Sequence, residues 1–287
     1  IMINPNDYII AIPSYKRSDT IGNKTLKILH DKKVPSFRIY IFVANKNEKN
    51  EYYNNVPRHL YNKIILGKLG LRNQRNFINR YFDQYKCIVE CDDDIKEISY
   101  LKPGIGKTRM EIQKNNKLLS VPNIDIFFKD AFHRLITNNT NLESDSSENW
   151  GKINEKPISY IWGIYPVYNP YFLSNKITNN LQFLVGPMWG MINRYKKDLL
   201  LELNEKEDFE RTLRHYKLDG SVFRFWNITI DTAFYKEKGG MQAENKDRYL
   251  EAEKSANYLL KHFPKYTQKW YKGKTKRPEI KLKDKNI

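Results

Sequence analysis

The stretch KCIVECDDDIKEI, residues 86–98, decides the fold, because an apolar run of strand type ends there at three consecutive aspartates. Adjacent carboxylates repel one another, so their position directly after a buried strand calls for a compensating charge. At the carboxyl edge of a parallel sheet, Asp-x-Asp offers oxygen ligands to Mg²⁺ or Mn²⁺, which commonly bridges to phosphate. The alternative is a solvated acidic turn. Since Asp92 and Asp94 share a direction, we predict Asp94 as metal ligand and Asp92 as a contact to ribose or metal-bound water.

Strands and helices alternate upstream of these aspartates. Apolar runs predict three strands, DYIIAIPS from Asp7, FRIYIFVAN from Phe37 and KIILGKLG from Lys63. Helical spacing predicts helices between them and again in LRNQRNFINRYFDQY from Leu71. Four strands separated by helices indicate a parallel, doubly wound α/β sheet, in which ligands bind at the carboxyl ends of the strands. We therefore expect the loops after Ile12, Val43, Leu66 and Glu90 to face one crevice.

Downstream of residue 96 the pattern is less regular. KPGIGKTRMEIQKNN is expected to be a mobile loop, and VPNIDIFFKDAFHRLITN an amphipathic helix. Two aromatic segments, ISYIWGIYPVYNPYF and LQFLVGPMWGMINR, and the segment FRFWNITI are strand-like, and NEKEDFERTLRHYKL is a charged helix. The GIGKT stretch imitates the end of a P-loop, but the glycine that this motif needs at position 101 is Leu101, so a P-loop is excluded.

The net charge of +17, from 50 Lys plus Arg against 33 Asp plus Glu, favours an anionic partner, although codon bias could also produce it. The only cysteines, Cys87 and Cys91, make a disulfide framework unexpected and leave zinc unsupported. No window approaches the roughly 18 apolar residues of a membrane span, and the first residues lack the pattern of a secretory signal. We expect a soluble, intracellular protein without a membrane or an obligate protein partner.

Two predicted helix starts carry further candidate site residues. GLRNQRNFIN places four polar side chains where backbone N–H groups and guanidinium forks suit an anion or a base edge: Arg72, Asn73, Arg75 and Asn76. EKEDFERTLRHY places Glu207 and Asp208 at the start of another helix. A carboxylate there either complements the helix dipole or acts as a general base, and the sequence leaves both open.

In the order IAIPSYKR, GLRNQRNFIN, CIVECDDDI, GPMWGMINR and EKEDFERTLRHY, these motifs resemble those of nucleotide-sugar-dependent GT-A glycosyltransferases over residues 7–240. The combination of IPSYKR, RNxxRN and the pair Gly239 and Gly240 is most similar to TET-associated DNA-base glycosyltransferases of phages and large viruses, relatives of the enzyme that makes base J. The resemblance implies a Rossmann-like, mainly parallel sheet flanked by helices over residues 1–240. A basic C-terminal helix and tail would follow over residues 241–287.

The resemblance also implies which residues contact the donor, a UDP-sugar and most simply UDP-glucose. The base and ribose pocket would be lined by Pro13, Ser14, Tyr15 and Arg17. Uracil or the diphosphate would meet Arg72 and Asn76. The sugar would be bordered by Trp189 and Gly190.

For the chemistry, the resemblance implies that Asp92 and Asp94 hold Mn²⁺ or Mg²⁺ on the diphosphate. Asp208 would deprotonate the acceptor hydroxyl, with Glu207 able to exchange roles with it, and the sugar would transfer with inversion. Many GT-A enzymes add a late histidine as a further metal ligand. Here that position stays open, since neither candidate lies in an identifiable motif: His215 and His262.

The acceptor implied by the resemblance is the hydroxyl of a hydroxymethylated pyrimidine in DNA, in the cytoplasm of a virus- or phage-infected host cell. The C-terminal stretch interleaves cations with aromatic residues, and its candidate DNA contacts are Lys272, Lys274, Lys276, Arg277 and Trp270. The alternative is a solvated terminus. Two other functions stay open: transfer to a protein or glycan, and a non-catalytic nucleic-acid-binding module.

Overall fold

The computed structural model describes residues 2–144, 151–233, 248–273 and 277–283. Its first half confirms the predicted alternation of strands and helices, in the order β1 (Ile9–Pro13), α1 (Thr25–Asp31), β2 (Ile39–Val43), α2 (Lys46–Asn55), β3 (Lys63–Leu66), α3 (Leu71–Tyr81) and β4 (Cys87–Cys91). The following elements are β5 (Ile95–Lys102), α4 (Arg109–Asn115), β6 (Lys117–Ser120), α5 (Ile124–Thr137), β7 (Ile161–Ile164), β8 (Ile177–Thr178), β9 (Met188–Ile192), α6 (Glu207–Asp219), β10 (Phe223–Phe225), β11 (Ile228–Thr232), α7 (Arg248–His262), β12 (Thr267–Lys272) and β13 (Arg277–Leu282).

The central sheet has eight strands in the order β3-β2-β1-β4-β9-β7-β10-β8. Strands β1 to β4 pair in parallel, as predicted, and β9 runs antiparallel between β4 and β7. Because β9 reverses direction, β7 and its parallel neighbour β10 run the same way as β4. The carboxyl ends of β1, β4, β7 and β10 therefore lie along one edge, which is where open α/β sheets bind ligands.

The sheet is covered on both faces. One face packs against α5 through residues such as Ile10, Val89 and Phe128. The opposite face carries Ile88 of β4, which clusters with Ile78 of α3, so this face packs against α3. Each fully buried aliphatic side chain of this kind stabilises the fold by about 1.5–3 kcal/mol, and the two layers fix the strands in register.

Three regions differ from the sequence-based expectations or extend them. The segment expected to be a loop contains α4, whose start is a capping box: Thr108 Oγ1 accepts from the Glu111 amide, and Glu111 accepts from the Thr108 amide. Strand β5 pairs with β6 and β11 in a second sheet that was not predicted. Strands β12 and β13 form an antiparallel hairpin where a helix and tail were expected.

The C-terminal elements pack on the central domain through α6. Leu213 of α6 contacts a cluster formed by α7 and β13, with Ala256, Leu259, Phe263 and Ile280 buried. Lys206, just before α6, forms an ion pair with Glu279 of β13. The expected division between residues 240 and 241 lies outside the described residues. Among the described helices, none is both long enough and apolar enough to cross a bilayer.

Candidate active site

The three aspartates form the turn between β4 and β5. The Asp92 amide donates to the carbonyl of Pro187, 2.9 Å away, which joins the turn to the loop before β9. Thr25 Oγ1, at the start of α1, donates to the Asp92 carbonyl at 2.7 Å and accepts from the Ile95 amide at 2.9 Å. A single hydroxyl therefore holds both ends of the turn, which fixes the direction of the three carboxyl groups.

Asp93, the central aspartate, points toward the loop after β1. Its carboxylate lies 2.6 Å from Arg17 Nη1 and accepts a hydrogen bond from Ser14 Oγ, which also contacts the Tyr52 hydroxyl at 2.6 Å. Arg17 Nη1 lies 3.4 Å from Asp94 as well. Ser14 and Arg17, predicted to line a nucleotide pocket, are thus brought to the aspartate turn, where they neutralise and position Asp93.

Pro13 and Tyr15, the other two predicted pocket residues, lie at the same end of β1 and are half-buried. Pro13 is the last residue of β1 paired with β2. Between Tyr15 and Arg17, Lys16 adopts a left-handed conformation, with a φ of 55°, and its amide donates to buried Glu48 at 2.7 Å. The loop is thereby held at the carboxyl edge, next to the aspartate turn.

A buried arginine connects this turn to α6. Arg75 of α3 is 2% exposed, and its guanidinium lies 2.6 Å from Glu90, 3.3 Å from Asp92 and 3.3 Å from Glu207. Glu207 pairs in turn with Arg211 at 2.5 Å. A continuous chain of ion pairs therefore runs from the end of β4 to the first turn of α6.

These groups make up a carboxylate cluster, defined by Glu90, Asp92, Asp93, Asp94, Glu207 and Asp208 with Arg17, Arg75 and Arg211. Six carboxyl groups meet three guanidinium groups, the ammonium group of Lys24, which acts on Asp94, and that of Lys206, which acts on Asp208 and is also paired with Glu279, so carboxyl groups remain in excess. Burial raises the pKa of Asp92, and burial together with Asp93 raises the pKa of Asp94. The cluster is short of positive charge, although the chain as a whole is at +17.

This excess fits a divalent cation. The donor oxygens are of the type that Mg²⁺ and Mn²⁺ prefer, and the Asp92 side chain remains 34% exposed. Among the described residues, no group of three or more His, Cys, Asp or Glu side chains is arranged to hold a metal ion. A cation here would be held by Asp92 and Asp94, and its other positions would be filled by phosphate oxygens and water, as is usual for Mg²⁺.

Asp208 lies at the start of α6 and is half-buried. Its Oδ1 accepts from the Phe209 amide at 3.0 Å, while its Oδ2 faces Gly186, where a Cβ atom would lie 3.5 Å away. Burial, and then the neighbouring Glu207 carboxylate, raises the pKa of Asp208 to about 6. Because Glu207 is 4% exposed and paired with two arginines, Asp208 is the carboxyl group better suited to exchange a proton near neutral pH.

Arg72 and Asn76 lie on α3 but face the segment that leads into α6. The Asn76 side chain donates to the Leu201 carbonyl and accepts from the Leu201 amide, both at 2.9 Å. Arg72 Nη1 donates to the Glu202 carbonyl at 2.9 Å. Both residues anchor α3 to this segment, whereas Arg75, on the buried face of the same helix, reaches the aspartate turn.

Trp189 and Gly190, predicted to border the sugar, are both buried in β9. The ring of Trp189 packs under the cluster, with the Arg211 guanidinium 3.9 Å and the Arg75 guanidinium 5.7 Å from its centroid. Gly190 faces the core, where a Cβ atom would lie 2.3 Å from the indole of Trp162. The predicted sugar contact of Gly190 does not fit this position, because the residue offers no surface to a ligand.

The two candidate histidines are engaged elsewhere. His215 is buried on α6, its Nδ1 lies 3.0 Å from the Arg211 carbonyl, and burial lowers its pKa to about 3. His262 lies on α7 and stacks on Tyr258, with 3.9 Å between ring centroids. The structure therefore does not bring either histidine to the aspartate turn.

Of the predicted DNA contacts, Trp270 is 40% exposed on β12. Lys272 and Arg277 lie in β12 and β13, but their side chains are outside the described part of the structure. Lys274 and Lys276 lie outside the described residues altogether, as do Gly239 and Gly240.

Three charged residues of the cluster were not singled out from the sequence: Arg75 was considered only within its motif, and Glu90 and Arg211 were missed. Each of these charged residues occupies a position that the spacing of the neighbouring apolar residues assigns to the protein interior. Glu90 is the fourth residue of CIVEC, and Arg75 is three residues before buried Ile78 on α3. A buried charge is stable only when paired, so opposite charges at two core positions are a signal that could have predicted this ion pair.

Neither a protein-family model nor a curated protein sequence matches this chain. Among solved structures, it resembles TarS residues 1–349 from S. aureus in complex with UDP-GlcNAc, with a TM-score of 0.51 and 13% identity over 88% of this chain. It also resembles, at a TM-score of 0.47 and 11% identity over 92% of this chain, the mannosyltransferase PcManGT from Pyrobaculum calidifontis in complex with GDP-Man and Mn²⁺.

This chain spans 66% of the first structure and 65% of the second. At such identity the similarity shows the fold alone, and the second TM-score is too low to support an argument. The mixed α/β architecture, with its mainly parallel central sheet and flanking helices, is that of the GT-A glycosyltransferases.

Proposed function

We propose that the protein is a metal-dependent glycosyltransferase that moves a hexose, in the simplest case glucose, from a UDP-sugar to a hydroxyl group with inversion. The observation that supports this most directly is the carboxylate cluster, in which carboxyl groups outnumber the cationic groups, at the carboxyl edge of a GT-A-type sheet. A merely structural cluster would be expected to balance its charge, because unpaired buried carboxylates cost several kcal/mol.

On the donor side, Asp92 and Asp94 would hold Mn²⁺ or Mg²⁺ against the diphosphate. When bound, the ion would supply positive charge to the leaving UDP. Arg17 and Arg75 offset part of the effect by which burial raises the pKa of these carboxyl groups, and they fix their direction, so that Asp92 and Asp94 would not reorganise as the donor binds. The loop after β1, including Pro13 and Tyr15, would border the nucleoside.

On the acceptor side, Asp208 would accept the proton of the attacking hydroxyl at Oδ2, the oxygen that faces Gly186. The hydroxyl oxygen then bonds to the anomeric carbon while the bond to UDP breaks on the opposite face, which inverts the configuration. The electron pair leaves with UDP, and the proton stays on Asp208 until water removes it.

For the acceptor we propose a hydroxymethylated pyrimidine in DNA. Since the cluster is negative, the rest of the chain carries a net charge more positive than the +17 of the whole. Such a surface binds polyanions independently of sequence, whereas a sugar nucleotide alone needs only a local site. We also propose that residues 1–240 form the transferase domain and that residues 241–287 extend it toward the acceptor.

The test is to incubate the protein with UDP-sugars, Mn²⁺ and DNA containing hydroxymethyluracil or hydroxymethylcytosine, and to weigh the released nucleosides by mass spectrometry. A mass increase of one hexose on the modified nucleoside is expected. Glycan and peptide acceptors are tested in parallel. Transfer to one of them and not to DNA would contradict the proposed acceptor but support the proposed transferase activity. UDP-sugar binding that needs no metal and leads to no transfer would support a non-catalytic module instead.

A further inference from the structure

A second site lies along the same edge of the sheet, beyond the carboxylate cluster. It is a cleft of about 650 Å³ between the ends of β7 and β10, the first turn of α6 and the β12–β13 hairpin. We call it the hairpin cleft and define it by four aromatic residues, Tyr165, Phe183, Phe209 and Trp226, and three cationic ones, Arg224, Lys281 and Lys283. Its volume suits a ligand the size of one nucleotide or more.

The aromatic residues of the cleft form two pairs. Phe183 and Phe209 stack with their ring centroids 4.2 Å apart and an angle of 23° between the planes. Tyr165 and Trp226 lie 5.4 Å apart at 37°. All four rings are partly exposed, although Phe183 and Phe209 cover one face of each other, and Arg224 and Lys176 lie 3.8 and 4.2 Å from the centroid of Trp226. A planar ligand would therefore meet the parts of the rings that these contacts leave open.

The charge of the cleft is positive. Arg224, Lys281 and Lys283 line it, and no acidic residue is among the described residues that do so. The buried Arg224 guanidinium lies 3.8 Å from the centroid of Trp226 and donates to the Phe183 carbonyl at 3.1 Å, so its charge is held in place between the two aromatic pairs. Lys281 and Lys283 are exposed at the rim, where the Lys281 ammonium group lies 5.7 Å from the centroid of Trp270 and that of Lys283 donates to the Pro264 carbonyl at 3.1 Å. Both side chains are exposed, so a phosphate would replace these contacts.

The cleft also adjoins the proposed base. Phe209 is the residue after Asp208 on α6, and its amide donates to the Asp208 carboxylate. Asp208 is not among the described residues that line the cleft, and its Oδ2 faces Gly186, so the cleft borders the residue next to the proposed base. No other part of the described structure combines aromatic faces, positive charge and this position.

We propose that the hairpin cleft binds an unstacked nucleobase of single-stranded DNA, with its phosphates on Lys281 and Lys283. Stacking of bases on aromatic side chains, combined with cations that track the backbone, is the usual way in which proteins bind single strands. A base inside a duplex has both faces covered by its neighbours, so it would have to leave the stack to enter. The proposal rests on the proposed function only for the role of the bound base as sugar acceptor.

The test uses the full chain and a fluorescein-labelled twelve-residue oligothymidylate, with affinity measured by fluorescence anisotropy from 50 to 300 mM NaCl. The double variant Lys281→Glu, Lys283→Glu should bind at least about tenfold more weakly, and its salt slope should fall by about 1.4, since two phosphate contacts are lost. The matched control, Lys33→Glu with Lys63→Glu, makes the same charge change at exposed positions outside the cleft and should stay within about threefold.

A second variant, Tyr165→Leu, removes an aromatic face while leaving the charges unchanged. It should weaken binding about fivefold or more without altering the salt slope, because base stacking contributes about 1–3 kcal/mol per base. Circular dichroism and thermal melts confirm that each variant is folded. The proposal is overturned if the cleft variants bind like the control, or if polyglutamate competes as well as DNA, which would assign the cleft to an acidic peptide.

Titration of each variant with UDP-sugar and Mn²⁺ by calorimetry separates this proposal from the proposed function. Intact donor binding together with no DNA binding by the native chain would overturn the cleft proposal and leave the transferase. If the native chain binds DNA, the cleft variants do not, and neither binds UDP-sugar, the cleft proposal is supported and the transferase proposal is refuted.

Discussion

The carboxylate cluster and the hairpin cleft lie along the same edge of one sheet, yet they are built in opposite ways. The cluster is buried, negative and joined by ion pairs from the end of β4 to α6. The cleft is open, positive and lined with partly exposed aromatic rings. The difference matches the two proposed ligands, because a metal ion with a diphosphate would need charges held in fixed positions, whereas a flexible polyanion would need accessible surface.

The two regions meet at two consecutive residues of α6. Asp208 belongs to the cluster, and Phe209 belongs to the cleft. Side chains one residue apart on a helix point about 100° apart, so the first turn of α6 can face both regions at once. Changes in the cluster should therefore affect transfer without altering DNA binding.

The largest effect is expected for Asp94→Ala. Removing a carboxylate that would hold the metal ion should lower transfer from UDP-sugar by at least about 10³-fold, because the charge of the leaving diphosphate is no longer neutralised. Steady-state assays over a range of Mn²⁺ concentrations measure it. Asp31→Ala, at an exposed aspartate of α1, is the matched control and should have no effect. Unchanged turnover of Asp94→Ala would remove the metal site from the proposal.

The next largest effect is expected at Asp208. With a pKa raised to about 6, Asp208 must lose its proton to act as a base, so transfer should fall about tenfold per pH unit below pH 6. Asp208→Asn should lower transfer about 10²–10³-fold and abolish this pH dependence, while UDP-sugar binding stays intact. If Glu207→Gln, in a variant that remains folded, shows the larger loss, the two carboxylates exchange roles.

The Asp208→Asn variant should also change the free energy of unfolding. Because burial raises the pKa of Asp208 above its ordinary value, the folded state binds the proton more tightly than the unfolded state. The contribution of Asp208 to stability is therefore present in acid and is lost as the pH rises through about 6. Urea unfolding at pH 7.5 should show Asp208→Asn more stable by about 1 kcal/mol, since water screening reduces the effect at a half-buried group. If Asp208→Asn is less stable than the native protein at this pH, the conclusion that burial raises the pKa of Asp208 is wrong.

The Arg75→Met variant removes the guanidinium group that joins Glu90 and Asp92 to Glu207. It leaves Glu90 and Glu207 buried with one partner fewer, and should lower the free energy of unfolding by about 3 kcal/mol or more. Adding Glu90→Met should recover much of that stability, because both partners of the closest pair are then apolar. Transfer should stay low in the double variant, since Asp92 and Glu207 still lack their shared arginine. Recovery of both properties would show that Arg75 acts on stability alone.

The smallest effect is expected for Asn76→Ala. The structure gives the Asn76 amide two hydrogen bonds to Leu201, so its loss should cost about 1–2 kcal/mol of stability. The KM for UDP-sugar should change less than about threefold. A large rise in KM with unchanged stability would return Asn76 to the nucleotide site that the sequence resemblance implies.

The parallel half of the fold was predictable because its signals are local. In β1 to β4 the strands are apolar runs, and two of the intervening helices, α1 and α3, have an apolar face, so these elements could be found from their own residues. The strand β5 was missed because IKEISYLK does not alternate regularly and its partners, β6 and β11, are distant along the chain. In the β12–β13 hairpin the exposed charged residues hide the alternation, since few of its side chains are buried.

The candidate site was predictable to the extent that charge at a strand end is visible in sequence. The aspartate turn and the Glu207–Asp208 pair were found in this way. Which guanidinium group faces inward could not be predicted, because Arg72 and Arg75 both lie in the first turns of one helix and only packing decides between them. The burial of Gly190 could not be predicted from its own motif either, because the indole of Trp162 that fills the space beside it belongs to another strand.

One consequence follows from how the β12–β13 hairpin is attached. Within the described residues, it forms a sheet of its own and shares no ladder with the eight-stranded sheet. Changes in β12 and β13 would therefore leave the hydrogen-bond register of the central strands unchanged. Under the proposed function, exchange of the hairpin would change the acceptor while leaving the carboxylate cluster, and with it the donor site, unchanged.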